Sequence, residues 1–234
     1  MVTPDDLIVG LDPINVHRAR YYHKGNGIPS VTELLSFIDC QGLINWANAI
    51  GRKGLDNKEV AKTAARYGTN THSAIENFLR GKEPFVKNSS FEAFKLWWHK
   101  INEENDRVVI LGSEESLVGD YFAGTYDLLL SINDVPYLVD FKTSNSVSYK
   151  YFMQLAAYRN LLYTTKGINV RGCIVLHLHK GPKAKYTEYK LDFSNPYDYE
   201  FIETCMKCFA GLVYTYYHVY HAKEQFDDAF KHIK

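Results

Sequence analysis

Helical spacing of apolar positions dominates the first hundred residues of this chain, and strand patterns take over in the middle. Pro29-Ser30-Val31-Thr32-Glu33 opens a helix that Ser30 or Thr32 can cap, with Leu34, Leu35, Phe37 and Ile38 as its apolar face. Further helical patterns cover Leu43–Ile50, Asn57–Tyr67, Thr71–Arg80 and Ser90–Asn105, with Gly68 and Thr69 read as the break between two helices. Strands are expected at about Val108 to Leu111 and on toward Val118, at Gly124–Ile132 and at Pro136–Thr143. A helix from Tyr149 to about Thr164 follows, then strands Arg171–Leu178 and Tyr186–Asp192, then a long helix from about Pro196 to Phe226. The first thirty residues read as irregular. Helices, a three-strand meander, a crossing helix, more strands and a final helix predict an α/β fold, with a mixed central sheet and a helical N-terminal cap. At 234 residues the chain suits one domain. Its parts would be a mainly helical 1–105, a sheet and crossing helix over 106–195, and a helical 196–234.

The middle of this pattern holds a problem in electrostatics. Asn133-Asp134 is a plausible two-residue turn, and a two-residue loop makes Ile132 face Val135. Counting outward then puts Asp127 opposite Asp140, with Lys142 on the same face and Thr125 opposed to it. Tyr126, Leu128, Leu130, Val139 and Phe141 take the other face, so both faces are largely apolar, as in a sheet covered by helices. Opposed Cβ atoms lie roughly 4.5–5.5 Å apart, and two carboxylates there repel by about 3 kcal/mol at an effective dielectric of 20. A divalent cation such as Mg²⁺ offsets that repulsion, since it takes hard oxygen ligands, and Lys142 would be placed to orient a water or stabilise charge on a phosphate. The alternative is a buried Asp–Lys pair with one protonated aspartate and no ligand.

Composition narrows the partners. Lys and Arg total 27 against 27 for Asp and Glu, so no global basic field marks a polyanion binder. Local patches remain: Lys142 with Lys150 and Arg159, and the stretch His177, His179, Lys180, Lys183 and Lys185. Aromatic residues make up 15% of the chain, and tyrosines near a cleft can stack on bases. The N-terminal segment lacks the basic-then-apolar order of a signal peptide, and no apolar run is long enough for a membrane span, which leads us to expect a soluble, cytoplasmic protein with free cysteines.

Other residues could complete a site. His72 stands in a first helical turn after the Gly68–Thr69 break, with Glu76 one turn later on the same face; it suits a metal ligand or a bond to Glu76. Glu114 and Glu115 lie in or beside a strand next to that of Asp127, as ligands or as solvent-facing charges. Gln154 and Tyr158 are four apart on a helix, and their polar tips could grip a phosphodiester backbone.

In order, these segments resemble the PD-(D/E)XK nuclease superfamily, and within it the RecB-like exonuclease branch that includes mitochondrial genome-maintenance exonucleases and phage proteins. The matching stretches are Pro29-Ser-Val-Thr-Glu-Leu-Leu, Gly68-Thr-Asn-Thr-His72-Ser-Ala-Ile-Glu-Asn-Phe-Leu, Ala123-Gly-Thr-Tyr-Asp127, Val139-Asp140-Phe-Lys142-Thr and Gln154-Leu-Ala-Ala-Tyr158. The resemblance implies a restriction-endonuclease-like core and a Mg²⁺- or Mn²⁺-dependent DNA exonuclease acting on single-stranded or end-accessible DNA, possible in a virus acting in its host cell. By the same resemblance His72, Glu114, Asp127, Asp140 and the Phe141 carbonyl would hold the metal, with Glu114 preferred to Glu115. Lys142 would position the attacking water, Gln154 and Tyr158 would contact DNA, and Lys150 and Arg159 would add cationic contacts. Where the family's name has Pro-Asp, this chain has Tyr126-Asp127. Some relatives clamp an iron–sulfur cluster with four cysteines. Cys40, Cys205 and Cys208 imitate part of that pattern, but Cys173 falls in an apolar strand, so no cluster is expected. Two rivals remain: a catalytically silent nuclease fold that binds nucleic acid or a protein partner, and an ion-pair network with no ligand.

Overall fold

The computed structural model describes residues 20–38 and 40–231, without the side chains of residues 40 and 41. The Cys40 thiol, weighed above as a cluster ligand, lies outside the described residues.

A five-stranded mixed sheet carries the fold, flanked by helices on both faces. In chain order the elements are β1 (Tyr21–His23), β2 (Asn26–Ile28), α1 (Val31–Leu35), α2 (Cys40–Gly51), α3 (Asn57–Leu79), α4 (Ser89–Glu104), β3 (Val108–Val118), β4 (Ala123–Ile132), β5 (Val135–Lys142), α5 (Tyr149–Lys166), β6 (Gly172–Leu178), β7 (Tyr186–Asp192) and α6 (Pro196–Phe230). The sheet order is β3-β4-β5-β6-β7. The meander β3–β4–β5 and the β6–β7 pair are antiparallel, while β5 and β6 run parallel because α5 carries the chain across.

Each face has its own core. Leu129, Leu138 and Val175 pack on one side with α1, α5 and α6, through Leu34, Leu155, Leu162, Ile202 and Phe209. On the other, Leu128, Leu130, Val139, Phe141 and Leu176 meet Ile75 of α3 and Phe91, Phe94 and Trp97 of α4. The 3–3–4 spacing of Phe91, Phe94, Trp97 and Ile101 gives α4 one continuous buried face. Fully burying each such side chain stabilises by about 1.5–3 kcal/mol.

Three departures from the sequence reading have physical causes. The segment before residue 30 is not wholly irregular: β1 and β2 form a small hairpin, turned by Lys24 and Gly25 at φ 49° and 85°. Strands of three residues are too short to show a period. Gly68 does not break a helix, because α3 runs unbroken from Asn57 to Leu79. A Cβ at Gly68 would lie 3.3 Å from Thr143 Oγ1, so the glycine serves close approach of α3 to the end of β5. Tyr126 belongs to the core beneath α5 and α6, not to that of Leu128 and Leu130. The alternation fails at Asp127, between these residues, where the β4–β5 pairing stops at Leu128–Val139. At the N-terminus of α1, Ser30 is the cap, and its hydroxyl and the Glu33 carboxylate form a capping box.

Candidate metal centre

The hairpin register follows from the turn. Asn133 and Asp134 take φ values of 50° and 65°, as a two-residue primed turn needs, and Ile132 pairs with Val135 through to Leu128 with Val139. One residue further, the Asp127 carboxylate accepts the Phe141 N–H at 2.7 Å through Oδ2. Across β4 the pairs Ser113–Leu128 and Glu115–Tyr126 bracket Glu114, which therefore lies level with Asp127. Glu114 has φ 51°, a left-handed conformation that costs a non-glycine residue about 1–2 kcal/mol. Such strain persists only where the surroundings enforce it, and here it accompanies a carboxylate aimed at a site.

His72 comes from the opposite layer. Its Nε2–H donates to the Phe141 carbonyl at 3.0 Å, and its ring meets the edge of the Phe141 ring at 5.9 Å. With Nε2 so occupied, Nδ1 faces Glu114 Oε1 at 3.6 Å and Asp127 Oδ1 at 3.4 Å. Ligand atoms of His72, Glu114 and Asp127 all fall within 4.8 Å of one another. Burial alone would push the His72 pKa down, yet the charge of Asp127 and the bonds to Asp127 and Glu114 raise it to about 10. Asp127 is held low, against its own burial, by His72 and Lys142.

Asp140 occupies the next strand and faces Lys142. Nζ stands 2.7 Å from both carboxylate oxygens of a residue only 2% exposed, and Oδ2 has no aligned hydrogen-bond partner among the described residues. Burial raises Asp140 to about 6 in spite of the Lys142 charge. Lys142 also donates to Gln154 Oε1 at 3.1 Å, Gln154 Nε2 donates to the Tyr158 hydroxyl at 3.0 Å, and the Lys142 ammonium lies 4.8 Å from the centre of the Tyr151 ring. Gly124 admits Tyr158, since a Cβ there would stand 2.5 Å from its ring.

The donor set fits a divalent cation. An imidazole nitrogen with its other nitrogen committed, two convergent carboxylates and an orphaned carboxylate oxygen suit Mg²⁺ or Mn²⁺ better than a soft metal. The charges agree: three carboxylates face Lys142 and His72, so even with His72 protonated the cluster has one negative charge more than its cations balance.

The structure places the other expected residues differently from one another. Glu115 turns away from His72, pairs with Lys166 and bonds the Tyr126 hydroxyl, whose pKa is pushed up by burial and then by that bond. The Phe141 carbonyl, expected as a ligand, accepts from His72. Lys150 Nζ reaches the Ile38 carbonyl at 3.5 Å. Arg159 is not brought to the cluster: it is buried between α5 and α6, bound to Glu203 at 2.7 Å and covered by the rings of Phe193 and Tyr199. The basic stretch divides as well, with His177 buried and bonded to the Ser144 carbonyl at 2.7 Å while Lys180 lies over the Tyr67 ring. Tyr151 escaped the sequence reading, although it lies on the helical face of Gln154 and Tyr158 by the i, i+3, i+7 rule.

No family model and no curated protein matches the sequence. Among solved structures the chain is similar to SSO0001 at 16% identity and TM-score 0.39, covering 80% of this chain and 78% of that one. It is also similar to a phage-related exonuclease from Haemophilus somnus (9% identity, TM-score 0.29, 67% and 82% covered). An alkaline exonuclease from Laribacter hongkongensis, LHK-Exo, aligns at 12% identity and TM-score 0.29, with 68% and 84% covered. These likenesses are remote, so what the site can do is argued from its own geometry.

Proposed function

We propose that the protein is a Mg²⁺- or Mn²⁺-dependent deoxyribonuclease of the PD-(D/E)XK type, acting as an exonuclease on single-stranded or end-accessible DNA. The observation that carries this reading is the meeting of His72, Glu114 and Asp127 beside the Asp140–Lys142–Gln154 chain. His72 Nδ1, Glu114, Asp127 and Asp140 would hold the metal, which when bound supplies a Lewis acid and a water of lowered pKa. Asp127 is set by the Phe141 N–H, and His72 by the Phe141 carbonyl, so one peptide strand orients two donors. Lys142, held by Asp140 and Gln154, directs its ammonium where negative charge grows on the phosphate and the attacking water must be aligned. Gln154 and Tyr158, both buried, tie that ammonium to α5, and a contact with the DNA backbone would require their tips to be uncovered. The names of the Haemophilus and Laribacter proteins agree with an exonuclease reading. On this reading residues 1–234 form a single nuclease domain.

The test is cleavage of 5′- and 3′-labelled single- and double-stranded oligonucleotides with Mg²⁺, Mn²⁺ or EDTA. Metal-dependent release of short products, abolished by EDTA and by Lys142→Ala, is expected. Absence of cleavage on every substrate overturns the proposal.

A further inference from the structure

A second polar cavity lies beyond the metal centre, along the same strands. It has a volume of about 180 Å³ and is lined by His23, Asp120, Phe122, Asn160, Leu161 and Thr164 among others. Asn160 is only 6% exposed, and its Nδ2 has no hydrogen-bond partner among the described residues. His23 Nε2 is buried and stands 2.8 Å from Asp120 Oδ1, a charge contact out of hydrogen-bond alignment. The Asn160 nitrogen is costly, at about 1–3 kcal/mol, unless a ligand supplies a partner.

The surroundings indicate which ligand. A phosphate is disfavoured by Asp120, and by the carbonyl end of α5, whose last turn holds Thr164. A neutral, flat group fits better, with acceptors for Asn160 Nδ2 and donors for Asp120, packed against Phe122 and Leu161. Nucleobase edges alternate donors and acceptors in this way.

Position ties the cavity to the cleavage site. Asp127 to Ala123 is four residues, roughly 13 Å of strand, and Gln154 to Leu161 is seven, roughly 10 Å of helix. At roughly 3.4 Å per stacked nucleotide, that is up to about four nucleotides. Hydroxyls suited to phosphate contact occupy the interval: Thr125 Oγ1 lies 2.9 Å from Ser116 Oγ and 3.0 Å from the Tyr21 hydroxyl. Tyr21 and His23 are two apart on β1, which places one over Thr125 and the other at the cavity.

We propose that this cavity is a base-binding subsite, in which Asn160 and His23 hold one unstacked base of the DNA strand being cleaved, within about four nucleotides of the scissile phosphate. The proposal rests on the nuclease reading and restricts it to a strand that is unpaired at that position. The experiment measures single-turnover cleavage of end-labelled single-stranded oligonucleotides, each with one abasic site moved stepwise along the strand. One position within four nucleotides of the cleaved bond is expected to slow cleavage about tenfold when abasic, with its neighbours near the intact rate. Asn160→Leu and, separately, His23→Ala are expected to bring the intact strand down toward the abasic rate. A flat profile, or a loss spread over many positions, in a protein that cleaves the intact strand overturns the subsite and leaves the nuclease reading standing. No cleavage of the intact strand overturns both. Should Asn160→Leu fail to fold, the abasic scan of the unaltered protein decides.

Discussion

Two buried ion pairs adjoin helix α5, one through Arg159 on the helix itself and the other reaching it from β5 through Gln154, and they differ in what surrounds them. Arg159 and Glu203 meet one to one at 2.7 Å, with side chains 6% and 13% exposed and aromatic rings over the guanidinium. Lys142 and Asp140 also meet at 2.7 Å, but beside two further carboxylates and a histidine whose pKa is driven up. The first pair balances its charge and is covered, although Arg159 Nε is left without a hydrogen-bond partner among the described residues. The second leaves an excess of negative charge, an orphaned oxygen on Asp140 and a strained glutamate. Similar burial and chemistry thus hold a helix interface in one place and, on the proposed reading, prepare a cation site in the other. The difference is stoichiometry of charge rather than burial.

The sharpest break between the two regions is catalytic. Asp127→Asn should lower metal-dependent cleavage by roughly 10³ or more, measured as single-turnover rate, because it removes a donor and loosens the hold on the Phe141 N–H. Chemical denaturation should show the opposite pattern at the other pair. Arg159→Ala would cost about 3–5 kcal/mol of stability by stranding Glu203, while the folded fraction keeps its cleavage rate. If Arg159→Ala abolishes cleavage in protein that remains folded, the contrast fails and Arg159 returns to the DNA-contact role its sequence position suggested.

A smaller effect separates the regions without any substrate. Mg²⁺ or Mn²⁺ at one hundred times its Kd should stabilise the protein by about 2.7 kcal/mol, read as a rise in Tm. Arg159→Ala should keep that increment and Glu114→Gln should reduce it.

The last effect is in pH. His72 has a folded pKa of about 10 against 6.5 unfolded, so its contribution to metal-free stability is fully present below pH 6.5 and is lost as pH rises through about 10. His72→Gln should therefore flatten the fall in metal-free Tm between pH 6.5 and 10. An unchanged slope would show that the imidazolium does not substitute for the missing cation charge.

Local features of this protein were legible where neighbours in sequence are also neighbours in space. Asn133-Asp134 predicts its own turn, and the turn sets the β4–β5 register from Ile132–Val135 inward, because hairpin geometry depends only on loop length and the two-residue period. The helices, the meander and the mixed sheet follow from periodicity in the same way. Choices between partners were not legible. Glu114 and Glu115 are adjacent and identical in type, and only the placement of β3 against α3 and α5 decides that one meets His72 and the other Lys166. Arg159 lies one residue beyond Tyr158 on α5, yet the helix's rotation gives it to α6. Gly68 looked like a helix break because its real reason, Thr143, is distant in the chain. Sequence alone determined the strands of the main sheet, the β4–β5 hairpin and the groups of a type able to bind a metal, since these rest on short-range geometry and residue chemistry. Tertiary structure decided which of those groups converge, because a side chain's partner depends on the rotation and approach of elements far apart in the chain.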